Sequence, residues 1–173
     1  NNGKFYFEYD RNSNEVEVIQ ASIDTEFGVS IGTGTLYLNE KSDVQKLIVT
    51  GQFELNDTKL YASKVFDQDF EIEKLITDIR MDFNNNSIEF GQFFAKFPEF
   101  GVTGTGKLKF SREGITAHSQ FDISDLPVET FVNLWPFKKG MKSKLWAAKN
   151  INKGYLKNIS GEILTNPTKG QNV

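Results

Sequence analysis

The chain has 173 residues, a formal net charge of −3, no cysteine and a single histidine. This length fits one domain or part of a longer one, and the lack of cysteine excludes disulfides and thiolate metal sites. Sixteen phenylalanines are many for this size, so aromatic rings are expected in the core or on an apolar surface. Because the chain shows no initiator Met, signal peptide or transmembrane run, it is interpreted as a single domain or a fragment of a longer protein.

The charge is distributed unevenly along the chain. Residues 1–134 carry 12 basic and 22 acidic side chains, or −10, whereas residues 135–173 carry 8 and 1, or +7. The basic stretch is either a solvated helix face beside an acidic sheet or a patch that faces anionic lipid or an acidic partner. Its lysines are not interleaved with stacking aromatic residues, so no nucleic-acid partner is expected.

Apolar and polar residues alternate with a period of two up to about residue 123. Residues 46–55 show the pattern with Ile48 as the exception. Strands with one apolar face are typical of antiparallel sheets. Hairpin turns are predicted at residues 10–14, 39–43, 56–57, 84–86 and 112–114. Their spacing predicts a meander of about eight to ten strands over residues 1–123.

A weak repeat runs through these strands: Ser or Thr, then Gly, then two alternating apolar residues and a polar turn. It occurs at residues 32–40, 49–57, 104–113 and 159–166. Small residues at the start of a strand permit bends and close backbone approach. The predicted fold is therefore mainly β, a curved antiparallel sheet forming an open trough or half-barrel, with two short helices near its C-terminal part.

The apolar face of this sheet is the candidate ligand groove. Its candidate residues are Phe5, Phe7, Leu36, Leu38, Leu47, Val49, Phe53, Leu55, Ile88, Phe90, Leu108 and Phe110. A one-sided apolar sheet must cover that face, and two short helices cannot cover eight or more strands. The sheet is expected either to leave an apolar channel for acyl chains or to close into a barrel or sandwich that binds a soluble ligand or a protein.

The pattern changes at Ser124. Ser124 or Asp125 is expected to cap a helix that carries Pro127 in its first turn and ends at Pro136. The apolar face of this helix is formed by Val128, Phe131, Val132 and Trp135. It opens a helical insertion predicted over residues 124–152.

A second helix is predicted over roughly residues 138–150, with Met141, Leu145 and Ala148 as its apolar stripe. Gly154 is expected to follow as a C-terminal break. A returning strand is predicted over residues 153–165, and the tail 166–173 is expected to fray.

No catalytic constellation is found in the sequence. His118 falls on the polar face of a strand and is interpreted as solvated. A GxSxG nucleophile motif is absent, and residues 101–106 lack the Lys-Ser/Thr of a P-loop. The alternating acids Asp67, Asp69, Glu71 and Glu73 are interpreted as a solvated strand face, because calcium needs ligands from several segments. The sequence predicts no enzyme, metal site or cofactor.

Residues 126–163 resemble the YhdP-type region of the AsmA-like envelope proteins of Gram-negative bacteria. The resemblance rests on Trp135-Pro136, a helix that carries Trp146, the pair Asn150-Ile151, and Gly154 opening a strand. Ser143-Lys144 stands where many members have Ala-Arg. Residues 1–123 share only the rhythm of a glycine followed by alternating apolar residues.

This resemblance implies a non-enzymatic segment of a β-groove protein that takes acyl chains on its apolar face. It implies phospholipid or another acyl lipid as the partner, a part in phospholipid transport between inner and outer membranes, and a part in outer-membrane homeostasis. It also implies a periplasmic location, tethered to the inner membrane by parts outside this chain. Trp135, Pro136, Trp146 and Gly154 would be structural positions of the motif.

Overall fold

The computed structural model describes residues 2–26, 28–38, 47–62, 68–134, 141–151 and 153–165. The strands are β1 (Asn2–Asp10), β2 (Glu15–Thr25), β3 (Gly28–Leu38), β4 (Ile48–Leu60), β5 (Phe70–Asp82), β6 (Ser87–Lys96), β7 (Gly101–Ser111), β8 (Gly114–Ser124), β9 (Leu126–Pro127), β10 (Tyr155–Leu156) and β11 (Ile159–Thr165). The helices are α1 (Val128–Asn133) and α2 (Met141–Asn150).

Nine of the strands form one antiparallel sheet in the order β1-β2-β3-β4-β5-β6-β7-β8-β11. Strands β1 and β11 each have a single neighbour, so the sheet is open at both edges. The predicted antiparallel meander is confirmed, and the alternative of a closed barrel is wrong. Among the described residues no second sheet covers this one, because β9 and β10 pair only with each other.

Register shifts interrupt the ladders at several places. One lies between Val18 and Ala21 of β2, and another between Phe90 and Phe93 of β6. Such bulges bend a strand locally and increase its right-handed twist. Asp57 has a φ of 49° and lies inside β4, so the turn predicted at residues 56–57 is wrong. The turn predicted at 39–43 lies outside the described residues.

The registers align side chains in rows that cross the whole sheet. The central row, one residue from each of the nine strands, is Phe7, Val18, Gly34, Phe53, Thr77, Phe93, Gly104, Phe121 and Gly161. Large and small residues alternate along much of this row. Directly opposed side chains in an antiparallel pair lie about 5 Å apart, so a ring on one strand reaches over the glycine of the next.

The glycines of the weak repeat are the small members of these rows. A Cβ built on Gly104 would lie 2.3 Å from the backbone oxygen of Gln120 and 2.7 Å from Cζ of Phe93. At Gly161 it would lie 2.3 Å from Cζ of Phe121. The rings thus occupy the space above the glycine backbone, a cross-strand arrangement that stabilises glycine in a sheet. The close approach expected for the repeat is confirmed.

A small unit containing both helices follows β8. Leu126 and Val128 are its buried anchors, 1% and 4% exposed. The backbone N–H of Val128 donates to the carbonyl oxygen of Gly154 over 3.1 Å, and the hydroxyl of Thr130 donates to the carboxylate of Glu99 in the β6–β7 turn. Helix α1 contacts mainly β9 and α2. The unit therefore lies at the end of the sheet where β6 leads into β7.

The start of α1 differs from the prediction. Residue Pro127 is its N-terminal flanking residue and no side chain caps the helix, so a cap by Ser124 or Asp125 is wrong. The physical reason is that Leu126 and Pro127 are extended, because they pair with β10. Trp135 and Pro136 lie outside the described residues.

The apolar stripe predicted for α2 is also wrong. Met141 and Leu145 are 48% and 62% exposed, Ala148 is exposed, and Ala147 is the buried residue of the helix. The spacing of apolar residues does not identify which face is covered when a short helix touches only one neighbour. The predicted returning strand is divided into β10 and β11, with Asn158 between them at a φ of 53°.

We expect Gly104→Ala to lower the free energy of unfolding by about 1–3 kcal/mol, because its methyl group meets a backbone oxygen that cannot move alone. Gly106→Ala is the control on the same strand and face. There the nearest atom would lie 3.5 Å away, so stability should change by less than about 1 kcal/mol. Urea denaturation measures both, and equal losses would contradict the role given to close ring packing.

Replacing the buried anchor Leu126 by Ala should cost about 2–5 kcal/mol of stability. Leu145→Ala removes the same atoms from an exposed site and should change stability by about 0.5 kcal/mol or less. Thermal unfolding of the two variants distinguishes them. A loss at Leu145 as large as that at Leu126 would contradict the exposed position of α2.

Candidate functional site

The candidate site is the apolar face of the nine-stranded sheet, defined by the central row and the rows beside it. One flanking row is Phe5, Ala21, Gly32, Leu55, Leu75, Ala95, Val102, Ile123 and Ile159. The other is Tyr9, Val16, Leu36, Gly51, Ile79, Phe90, Gly106, Ser119 and Ile163. No charged residue occurs in any of the three rows, so the face is apolar from one edge of the sheet to the other.

A partial fourth row extends the face. It consists of Leu38, Val49, Met81, Ile88, Leu108, Ala117 and Thr165. Neighbouring strands lie about 4.8 Å apart, so nine strands give a face roughly 40 Å wide. The few polar side chains on it are hydroxyls, and that of Thr77 already donates to the backbone oxygen of Gln92 over 3.1 Å.

The apolar face is largely uncovered. Phe7, Phe5 and Ile163 are 64%, 58% and 51% exposed, and the large residues of the middle strands are only half-buried, by their neighbours on adjacent strands. Val18, Val49 and a few small or central residues are buried. Contiguous apolar surface of this extent is rare on a soluble monomer and marks a site of interaction.

A hollow of about 320 Å³ lies in the middle of the apolar face. Its lining comes from β5, β6, β7 and β8 and includes Ile72, Leu75, Phe90, Phe93, Ala95 and Leu108. Most of the lining side chains are aliphatic or aromatic, and Thr77, Ser119, Lys107 and His118 also border the hollow. The arrangement offers an alkyl chain many carbon contacts in the middle of the sheet.

Eleven of the twelve predicted groove residues lie together on this face, as the strand registers show. Leu47 is the exception, because it precedes β4. Sequence reasoning missed Phe93. Phe90 and Phe93 share a face although they are three residues apart, because the bulge at Gly91 and Gln92 shifts the alternation. Gly91 was the sequence feature that could have indicated this bulge, because a glycine inside a strand often marks one.

The opposite face of the sheet, called the polar face, carries charged side chains and ion pairs, together with exposed apolar residues that include Ile31, Ile76 and Phe94. Nζ of Lys107 lies 2.5 Å from Oε1 of Glu89, and a guanidinium nitrogen of Arg80 lies 3.4 Å from its Oε2. The hydrogen bond from Lys107 is the main reason that the pKa of Glu89 is held below its usual range. Lys74 likewise lowers the pKa of Glu54, at 2.8 Å. The two faces of the sheet thus differ in charge.

His118 lies on the polar face, as predicted. Its Nε2 is 2.7 Å from Oε1 of Glu162 on the neighbouring strand, and both side chains are exposed. Of the four alternating acids, Glu71 and Glu73 lie on β5, where Glu73 pairs with Lys96 at 2.6 Å, while Asp67 lies outside the described residues. Among the described residues, no group of three or more His, Cys, Asp or Glu is placed to hold a metal ion.

Comparison with protein-family models, with curated protein sequences and with solved structures gives no match. The resemblance to the AsmA-like proteins therefore stays a prediction, and so do the lipid ligand and the periplasmic location. Neither described helix has the length and apolar character needed to cross a membrane.

We expect Lys107→Gln to raise the pKa of Glu89 toward its ordinary value, because it removes the main stabilising partner of the carboxylate. Lys109→Gln, on the same strand and face, should leave that pKa unchanged. An NMR titration of the Glu89 side chain measures both. With its folded pKa lowered, Glu89 contributes to stability above its unfolded pKa and loses this contribution as the pH falls through the folded pKa. An unshifted Glu89 in the unmodified protein would contradict the described pairing.

Proposed function

We propose that this chain is a non-enzymatic lipid-binding segment whose apolar face takes up the acyl chains of phospholipid or another acyl lipid. The observation that supports the proposal most directly is an open sheet with three uncharged rows across all nine strands, over which the described part of the chain places no second layer. A face of this kind needs an apolar occupant, since water in contact with it carries a large free-energy cost.

An acyl chain fits this face better than a polar ligand does. Each buried methylene contributes about 0.8 kcal/mol, so a long chain gains affinity without any directed polar contact. The half-buried rings of Phe53, Phe90 and Phe93 present continuous carbon surface in the middle of the sheet. The polar face, with its ion pairs, keeps the other side in water. This division also accounts for the lack of a sharp ligand-binding motif in the sequence.

The resemblance of residues 126–163 to AsmA-like proteins adds the biological setting to the proposal. In that setting the chain is one segment of a longer β-groove protein of the periplasm, tethered to the inner membrane outside this chain. The open edges at β1 and β11 suit such a segment, because further strands can pair with them. Phospholipid transport between the two membranes is the proposed role.

Replacing Phe53 by Glu tests the proposal, because Phe53 lies in the central row and a carboxylate there is either desolvated or brings water onto the face. Uptake of a fluorescent fatty acid by the purified protein should fall at least about tenfold, as expected for about 1.4 kcal/mol of lost binding energy. Thr50→Glu is the matched control, since it adds the same charge to the same strand on the polar face, opposite Arg80. Its uptake should stay unchanged.

Circular dichroism must show that the Phe53→Glu protein keeps its strands. Leu108→Glu, in the partial fourth row, provides a second variant if it does not. Mass spectrometry of lipids extracted from the purified protein identifies what the face carries. If the unmodified protein neither takes up the probe nor carries lipid, or if Thr50→Glu impairs uptake as much as Phe53→Glu, the apolar face has another occupant.

A further inference from the structure

A second surface, separate from the apolar face, is formed by α2 and the residues that follow it. Leu145 and Trp146 of α2 are each 62% exposed, and Tyr155 of β10 is 65% exposed. Lys142, Lys149, Lys153 and Lys157 are exposed on the same segment. We call these seven residues the basic aromatic patch.

The charged side chains of the patch are all positive. Residues 141–157 contain five lysines and no aspartate or glutamate. Among the described residues, none of the four patch lysines forms an ion pair within 4.0 Å. Their charge is therefore available to a partner, and that partner must be anionic.

The geometry of α2 places the apolar and the basic side chains on one outward side. Ala147 is the buried residue of the helix. At 100° per residue, Leu145 and Trp146 lie on the side away from Ala147, and Lys142 and Lys149 lie between them. A large aromatic ring next to lysines on long flexible stems is the combination that favours the boundary between lipid headgroups and acyl chains.

We infer that the basic aromatic patch docks this protein onto an anionic lipid bilayer, with Trp146 and Leu145 entering the headgroup region and the lysines contacting lipid phosphates. The negative charge of the part of the chain that contains the sheet supports a single docking orientation. Residues 1–134 carry a net charge of −10, so an anionic surface repels the sheet and attracts the patch.

The position of the patch connects it with the sheet. Helix α2 packs on α1, and Thr130 of α1 is hydrogen-bonded to Glu99 in the β6–β7 turn. Docking would therefore bring the strand ends at this turn close to the bilayer. The inference does not depend on lipid binding by the apolar face, since the two surfaces share no residue.

Co-sedimentation of the full chain with vesicles tests the inference. Binding should be strong on vesicles of phosphatidylcholine with 30% phosphatidylglycerol, weak on pure phosphatidylcholine, and weakened by salt. A basic residue near an anionic surface contributes about fivefold in affinity. The double variant Lys142→Gln and Lys149→Gln should therefore bind roughly thirtyfold more weakly.

The matched control is the double variant Lys4→Gln and Lys109→Gln, which removes the same charge from the polar face of the sheet. Its binding should change by less than about threefold if the lysines act locally. Trp146→Ala should weaken binding without unfolding the protein, because the ring is exposed. Tryptophan emission should shift to shorter wavelength on anionic vesicles, and Trp146→Phe should remove most of that shift.

Three results would overturn the inference. They are equal losses in the two double variants, equal binding to neutral and anionic vesicles, and no vesicle binding at low salt. Binding to polyglutamate without binding to vesicles would assign the patch to an acidic protein instead. Fatty-acid uptake by the patch variants should match that of the unmodified protein, so failure of vesicle docking and failure of acyl binding are seen separately.

Discussion

The structure depends on one constraint: a single sheet must hold its apolar face together, although none of the described residues forms a second layer above it. In a sandwich, side chains from the facing sheet would fill the space over each strand. Here the side chains on the apolar face find their partners almost entirely on adjacent strands. Cross-strand pairs are the unit of stabilisation in such a sheet, so the register of each strand controls how well the face is packed.

The alternation of large and small residues follows from that constraint. Phe93 and Phe121 both lie beside Gly104, and a side chain at Gly104 would collide with a ring or with the backbone of β8. Flat rings over glycine bury part of each ring and leave the other part facing outward. The same pairing thus stabilises the strands and leaves a continuous aromatic surface exposed. In a closed core these rings would be buried.

The sequence predicted the sheet well because polar and apolar residues alternate over most strands, and eleven of the twelve groove candidates share the face. It failed where local and tertiary effects compete. Phe93 was missed because a bulge shifts its alternation. The cap at Ser124 or Asp125 was wrong because pairing with β10 holds Leu126 and Pro127 extended. Leu145 was assigned to the apolar stripe of α2 but is exposed, because periodicity cannot tell which side of a short helix has a neighbour.

The two surfaces of the molecule differ in the physical basis of any binding they support. The apolar face contains no charge in its three complete rows, so its affinity for an alkyl chain would scale with buried area and be nearly independent of salt. The basic aromatic patch would bind through lysines in water, so its affinity would fall as salt rises. A protein that receives lipid from a bilayer needs both properties, one to reach the surface and one to hold the chain. Their separation along the chain, −10 before residue 135 and +7 after it, allows each to be weakened without the other.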